Sequence, residues 1–279
     1  MLSTPRAGFI MVWLLLIGTF LFFGAPPAWA EPVLHPANQS VTEDDFDLYL
    51  PQIVKASTQQ EVIFADDFEA GNFSSWSASK TYEDALSVTS TAALVGTQGL
   101  QVKIAYTTSV YLTDDLPAAE PRYSARFYFD PNSIVMVDND NHAIFYGYNS
   151  TSDVVLRIQF RYAASDYQLR AGLLEDSTTF TNTGWITISD APHALEVDWQ
   201  AASAVDANDG SLTFWIDDVP TADLTGCDND TRSIDRVRLG AVASIDPGTH
   251  GTYYFDAFES HRQTSIGPEA GALVTPRLP

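Results

Sequence analysis

The sequence is short of cysteine and of basic residues. Its single cysteine, Cys227, cannot form a disulfide within the chain, so burial of apolar side chains must supply the stability of the fold. Lysine and arginine number 14 against 36 aspartates and glutamates, which gives a net charge of −22 at pH 7. A charge of that sign repels polyanions, and we therefore expect neither nucleic acid nor an anionic membrane surface as a partner.

Motifs for zinc, nucleotides and flavins are also lacking. The 5 histidines show no metal-ligand spacing, and no serine or cysteine nucleophile motif accompanies them. What the chain does have is 45% hydrophobic and 12% aromatic residues, a composition that indicates a large buried core.

The two ends of the chain differ from its middle. Residues 1–30 contain an apolar stretch over 7–25, two prolines and Ala28-Trp29-Ala30, which predicts a signal peptide cleaved after Ala30. An uncleaved anchor is the alternative, because the stretch approaches the ~20 residues that span a bilayer. We expect an exported protein, extracellular or at the cell surface, with no membrane association after cleavage. Residues 31–60 predict a polar spacer, and residues 264–279 predict a flexible tail.

Between residues 61 and 263 the apolar residues recur with a period of two in short segments separated by Asn, Asp, Gly, Ser and Pro. This pattern predicts an all-β domain in which two antiparallel sheets form a sandwich, with about ten to fourteen strands. The predicted strands include residues 122–129, 154–161, 168–173, 185–188, 194–200, 211–217, 236–242 and 253–260.

Two of these strands form a predicted hairpin. Residues 193–199 read HALEVDW and residues 210–218 read GSLTFWIDD, on either side of an Asp- and Asn-rich turn. The hairpin resembles the centre of laminin-G-like domains, in the concanavalin A-like lectin/glucanase class. FADDFEAG at 64–71 and YYFDAFE at 253–259 are similar to the paired terminal strands of that class, and also to those of galactose-binding-like carbohydrate-binding modules, the alternative fold. The resemblance covers about residues 61–262 and implies a jelly roll with one convex and one concave sheet.

The region that carries the resemblance lacks a clear catalytic motif. Glycosidases of this class space several carboxylates along one strand, and Glu196 and Asp198 share a strand face. A third carboxylate is missing at Gln200 and Ala201, a departure from the Glu-x-Asp-x-x-Glu pattern of related glucanases. We therefore predict no catalytic residue and expect Glu196 and Asp198 to pair with arginines of neighbouring strands. The alternative is a polysaccharide hydrolase or lyase that uses them beside Arg157 or Arg161.

Arginines on the predicted solvent faces suggest a binding surface instead. If their strands are neighbours in the concave sheet, Arg122 and the other arginines form a groove of planar donors suited to hydroxyls, carboxylates and sulfates of glycans. A tryptophan on the solvent face offers a platform for a sugar ring. The alternative is a ladder of cross-strand ion pairs with the nearby acids. The predicted ligand-binding residues are Arg126, Tyr128, Arg157, Gln159, Arg161, Arg170 and Trp215.

Carboxylates near the two terminal strands suggest a structural calcium ion. Ca²⁺ takes oxygen ligands from carboxylates and carbonyls, and related folds often tie their terminal strands with one. The resemblance assigns this role to Glu69 and Asp256, and also to Asp67. Taken together, the sequence predicts a secreted, non-catalytic, lectin-like domain that recognises a polysaccharide on a concave sheet face. An enzyme of the same fold and an extracellular structural or adhesion domain remain the alternatives.

Overall fold

The structure, a computed structural model, describes residues 61–262 and 265–267, all of which belong to one compact unit. The predicted signal peptide, the spacer and most of the predicted tail lie outside these residues. Regular structure in the described part consists of sixteen β-strands and one short 3-10 turn over Ser90–Ala92. No helix of the described residues is long and apolar enough to cross a membrane.

The strands form two antiparallel sheets of eight strands each. Sheet A runs, in order of hydrogen-bonded neighbours, through β14 (Val219–Cys227), β13 (Gly210–Ile216), β12 (His193–Gln200), β6 (Arg122–Asp130), β16 (Gly251–His261), β4 (Gly99–Ile104) and β3 (Leu86–Thr89), with β1 (Val62–Asp66) paired to β16. Sheet B runs through β10 (Phe180–Asn182), β9 (Asp166–Leu174), β8 (Val154–Ala163), β7 (Asn141–Tyr148), β15 (Arg236–Ala243), β5 (Val110–Asp114) and β2 (Ala78–Lys80), with β11 (Ile186–Ile188) paired to β9.

One apolar core lies between the sheets. Along β6, Tyr123, Phe127 and Phe129 are fully buried and alternate with outward residues, because successive side chains of a strand point to opposite faces. Phe127 of sheet A packs on Phe145 of sheet B with ring centroids 5.6 Å apart. Each such ring contributes about 1.5–3 kcal/mol by leaving water, so the core replaces the missing disulfides as the source of stability.

The predicted all-β sandwich of two antiparallel sheets is confirmed, and so are two of the predicted strand pairings. Strand β12 pairs antiparallel with β13, with Leu195 opposite Ile216, as the hairpin predicted. Strand β1 pairs with β16, as the terminal motifs predicted. The strand count of ten to fourteen was too low, because short edge strands such as β2 and β10 carry no clear alternation.

One structural premise of the predicted groove is wrong. Strand β6, which carries Arg126, belongs to sheet A, whereas β8 and β9, which carry Arg157 and Arg170, belong to sheet B. The predicted binding residues therefore lie on two outer faces at opposite sides of the sandwich. Alternation told which residues point away from the core but could not tell which sheet each strand joins.

Candidate functional site

The outer face of sheet B carries a continuous band of arginine and aromatic side chains. Strand pairing places residues of six neighbouring strands opposite one another in a single row across this sheet. From β5 to β10 the row consists of Thr113, Arg238, Tyr146, Arg157, Gly172 and Asn182. The next two rows of outward residues, both on the same side of this row, add the remaining predicted residues of this sheet, Gln159, Arg161 and Arg170.

Trp185 lies over two arginines at one end of this band. The Cζ atoms of Arg161 and Arg170 are 4.1 and 4.4 Å from the centre of its ring. Such cation–π contacts contribute about 0.5–2 kcal/mol each. Gln168 accepts from Arg161 Nε at 2.7 Å and Gln159 accepts from Arg170 Nε at 3.0 Å, so each guanidinium is oriented by a neutral amide.

Arg157 lies on the same strand as Arg161 and is likewise held by an aromatic ring and a neutral amide. Its Cζ lies 3.8 Å from the ring centre of Phe180, and Asn182 Oδ1 accepts from its Nε and Nη2 at 3.1 and 2.8 Å. Asn182 reaches it across β9 because Gly172 stands between them. A Cβ atom at Gly172 would come within 2.3 Å of the Asn182 oxygen, so only glycine lets the amide lie on the sheet.

Arg238 forms a second cationic and aromatic group on the same face. Its Cζ lies 4.5 Å from the ring centre of Tyr111 and 4.8 Å from that of Tyr148, whose hydroxyl accepts from Arg238 Nη1 at 3.2 Å. A shallow cavity of about 290 Å³ opens beside it, lined in part by Lys80 and Arg236. This cavity extends the band toward β2.

Among the described residues, no carboxylate neutralises the arginines of the band. Within the part of the chain that the structure describes, Arg157, Arg161, Arg170 and Arg238 have no carboxylate within 4.0 Å. Burial lowers the pKa of Arg157 and of Arg170, and the charge of a neighbouring arginine lowers each further. Like charges are therefore gathered here, in a chain whose net charge is −22.

The outer face of sheet A shows the opposite arrangement, because its arginines meet acids. Arg122 binds Asp198 through two contacts, at 3.0 Å from Nε and 2.5 Å from Nη2. Arg126 Nη2 lies 3.1 Å from a Glu259 oxygen. The predicted pairing with an arginine is thus found for Asp198 and not for Glu196, and Arg126 pairs with Glu259 instead.

The predicted sheet A residues differ in how open they are. Tyr128 is buried beside Ala194 and Ala257, with Leu94 and Val95 packed against them. Trp215 is half-buried, directly opposite Glu196 on β12. Neither residue joins the band on sheet B, and whether they bind a ligand stays a prediction.

Glu196 and Asp198 do share an outward face, as predicted, but this face belongs to sheet A. They therefore cannot act beside Arg157 or Arg161 of sheet B, and that form of the hydrolase or lyase hypothesis is wrong. Asp198 is engaged by Arg122, and both oxygens of Glu196 accept backbone amides of residues 266 and 267.

Two of the three predicted calcium ligands face the same loop. Glu69 accepts from Thr97 and from the amide of Gln98, while Asp256 Oδ2 accepts the amides of Leu94 and Val95 at 2.8 and 2.9 Å. Burial and, to a smaller degree, the charge of Glu69 raise the pKa of Asp256 to about 7. Asp67 instead accepts the Glu69 amide and is exposed. Calcium binding stays a prediction.

Several members of the band, notably Trp185, Phe180 and Arg238, were not among the predicted binding residues. A signal was present for two of them. Trp185 shares its parity with the exposed Thr187, and Arg238 alternates with the buried Val237 and Leu239. Phe180 lies in a three-residue strand without a usable period, so nothing local pointed to it.

Comparison with known proteins identifies the fold. No protein-family model matches the chain, and no curated protein matches its sequence. Cip1, a cellulose induced protein, is 16% identical, with 74% of this chain and 100% of that chain covered and a TM-score of 0.50. The receptor binding domain of botulinum neurotoxin mosaic serotype C/D is 9% identical, with 74% and 48% covered and a TM-score of 0.50.

A structure of botulinum neurotoxin type C is 9% identical, with 75% of this chain and 49% of that chain covered and a TM-score of 0.51. The chain therefore spans about half the length of the toxin chains that it matches. At such low identity the likeness shows the β-sandwich fold and leaves the function to be argued from the site.

Proposed function

We propose that this protein is a glycan-binding β-sandwich module of the concanavalin A-like class, and that it holds an acidic glycan on the outer face of sheet B. The observation that carries the proposal is the set of four guanidinium groups without a carboxylate partner in the described part of the chain, Arg157, Arg161, Arg170 and Arg238. A uronate carboxylate or a sulfate would supply the missing anion through paired hydrogen bonds. Export, which residues 1–30 predict, would bring the module to polysaccharides outside the cell.

The aromatic rings of the band suit the other half of a sugar. Trp185 and Phe180 are half-buried, and an exposed part of an aromatic ring stacks on the C–H face of a saccharide. Six strands contribute to the row of residues, and at ~4.8 Å between strands the row is about 24 Å long. A face of that length accommodates several sugar units, which favours a polysaccharide over a single sugar.

Two structural neighbours are described in connection with carbohydrates. Botulinum neurotoxin type C is described as depending on interaction with two ganglioside molecules when it enters cells, and Cip1 is described as induced by cellulose. These descriptions concern those proteins, and at 9% and 16% identity they support only the suitability of the fold.

The direct test is binding of the full chain to soluble polysaccharides, by affinity electrophoresis and titration calorimetry. A polyuronate, a sulfated polysaccharide and a neutral glucan of similar length are compared. We expect binding to the acidic polymers that weakens with added salt, because exposed charges are screened, and little binding to the glucan. Absence of binding to every polymer would refute the proposal. Release of unsaturated or reducing-end products during incubation would instead indicate a lyase or hydrolase.

A pair of tryptophan variants tests which face binds. Trp185→Ala removes the indole that lies over Arg161 and Arg170 on sheet B, and Trp215→Ala is the matched control, a half-buried indole on sheet A. A central aromatic contact is worth about 2 kcal/mol, so we expect a roughly 30-fold loss of affinity for Trp185→Ala and less than about a twofold change for Trp215→Ala. The reverse order of losses would assign the ligand to sheet A.

A further inference from the structure

Two side chains on the outer face of sheet A hydrogen-bond to the backbone of residues 266 and 267 of the same chain. Glu196 accepts the backbone amide of Ile266 at 2.7 Å with one oxygen and that of Gly267 at 3.0 Å with the other. Arg126 donates from Nη1 to the carbonyl oxygen of Gly267. All three contacts are made to backbone atoms, so the two side chains recognise the course of a peptide rather than particular side chains.

Both residues lie on strands of sheet A and are buried with segment 265–267 in place. Arg126 is 5% exposed and Glu196 is 6% exposed, in spite of their charges. A buried charge costs several kcal/mol unless its hydrogen-bonding capacity is met. They do not form a salt bridge with each other: the acidic partner of Arg126 is Glu259, and the hydrogen bonds of Glu196 come from the two amides. With the peptide backbone in place, both oxygens of Glu196 and the Nη1 of Arg126 have partners, while the buried Nε of Arg126 has none among the described residues.

We propose that Arg126 and Glu196 form a peptide-binding site on sheet A, and that segment 265–267 is its occupant within the same chain. The ligand class is a peptide that offers two successive amides and then a carbonyl. Its second amide belongs to a residue that adopts positive φ, as Gly267 does at 72°. Beside Arg126 a cavity of about 380 Å³, lined in part by Asp66 and Glu259, leaves room for further groups of a ligand. The site is on the sheet opposite the arginine band and stands independently of the glycan proposal.

Amide hydrogen exchange of the full chain tests whether these hydrogen bonds form. We expect the amides of Ile266 and Gly267 to exchange at least tenfold more slowly than in an unstructured peptide, because each donates to Glu196. Glu196→Gln replaces one acceptor oxygen by an NH2 group and leaves a single acceptor, so at least one of the two amides should lose its protection. Asp198→Asn is the matched control, since it makes the same chemical change two residues away, where the carboxylate binds Arg122 instead. Unprotected amides in the unmodified chain, or protection of both amides that survives Glu196→Gln, would overturn the proposal.

A second variant tests the site with a peptide added from outside. Gly267→Val disfavours the positive φ of the bound segment and leaves Arg126 and Glu196 unchanged. We expect full-length Gly267→Val to bind a synthetic peptide with the sequence of residues 263–270 at least tenfold more tightly than the unmodified chain does, measured by calorimetry. Adding Glu196→Gln to that variant should abolish the binding. Equal binding by the variant and the unmodified chain, or no binding by either, would contradict the proposal.

Discussion

The buried imidazole of His142 should make the stability of the sandwich depend on pH. The ring lies in the interior with no exposed surface, stacked on Tyr253 at 5.7 Å between centroids and edge-on to Phe160 at the same distance. Its Nε2 is 3.2 Å from the Tyr253 hydroxyl. Burial lowers the pKa of His142 from 6.5 to about 3, because the charged imidazolium would lose its hydration.

The sign of the effect follows from proton binding. Between pH 6.5 and about 3 the unfolded chain binds a proton at His142 that the folded chain does not, so the free energy of unfolding falls as the pH falls. The slope is about 1.4 kcal/mol per pH unit, which amounts to ~3 kcal/mol between about pH 6.5 and 4.5 and ~5 kcal/mol over the whole interval. Losses of this size are a large part of the 5–15 kcal/mol by which domains are usually stable.

Buried carboxyls with a raised pKa, Asp114 and Asp256 among them, act in the opposite direction, and their effect must be separated from that of the histidine. Burial raises the pKa of Asp114 to about 6 and that of Asp256 to about 7, so each takes up a proton in the folded chain first and adds stability as the pH falls toward 4. The total pH curve is therefore a sum of opposed slopes. Only a comparison of variants isolates His142.

The comparison uses Tyr253→Phe as the background, because it removes the hydroxyl that His142 contacts from both proteins. Urea unfolding of Tyr253→Phe and of the double variant with His142→Phe is measured at pH 7 and about pH 4.5. We expect the double variant to gain about 3 kcal/mol relative to the background on going to the lower pH. His250→Phe, at an exposed histidine, serves as the control and should show no such gain. A difference independent of pH would refute the reasoning.

Two further predictions concern the metal and the sheet geometry. Ca²⁺ should raise the Tm more at pH 8 than at pH 5, because Asp256, with a pKa of about 7, must lose its proton to bind the ion. Thermal melts with and without Ca²⁺ measure this difference. An equal rise of the Tm in Glu69→Gln would contradict the prediction. Gly240→Ala should destabilise the fold by about 2 kcal/mol or more in urea unfolding, because Gly240 has a φ of 135° and an added Cβ would lie 2.5 Å from the carbonyl oxygen of Val110. Gly184→Ala, where a Cβ meets nothing within 4 Å, is the control, and equal losses would contradict the argument.

Local alternation predicted the strands well and their assignment to sheets poorly. The inward parity of Phe127 and the outward parity of Arg126 follow from the period of two along one strand, which the sequence displays directly. Arg126 and Arg157 have the same outward parity but lie on opposite sides of the sandwich. Sheet membership depends on pairings between strands that are distant in sequence, and a single chain's periodicity carries no such information.

The candidate site was predictable only in part for a similar reason. The arginines of β8 and β9 could be found by parity, but their partners come from elsewhere in the chain, as Trp185 does for Arg161. The burial of Glu196 was equally hidden, because it depends on a segment seventy residues further along. Whether a charged side chain is paired depends on contacts between residues far apart in sequence. That pairing distinguishes a structural interpretation of the residue from a binding one.

The two outer faces differ in the kind of acceptor that orients each arginine. An acid such as Asp198 both orients and neutralises Arg122, which stabilises the sheet and leaves little attraction for an anion. An amide such as Gln159 orients Arg170 but leaves its full charge in place, at the cost of repulsion from neighbouring arginines. In a chain with 36 acidic residues, neutral partners at this band keep its charge available, whereas stability alone would be served better by carboxylates. The arginines of sheet B that amides orient therefore keep a charge that an anion can meet, whereas Arg122 on sheet A is already neutralised by Asp198.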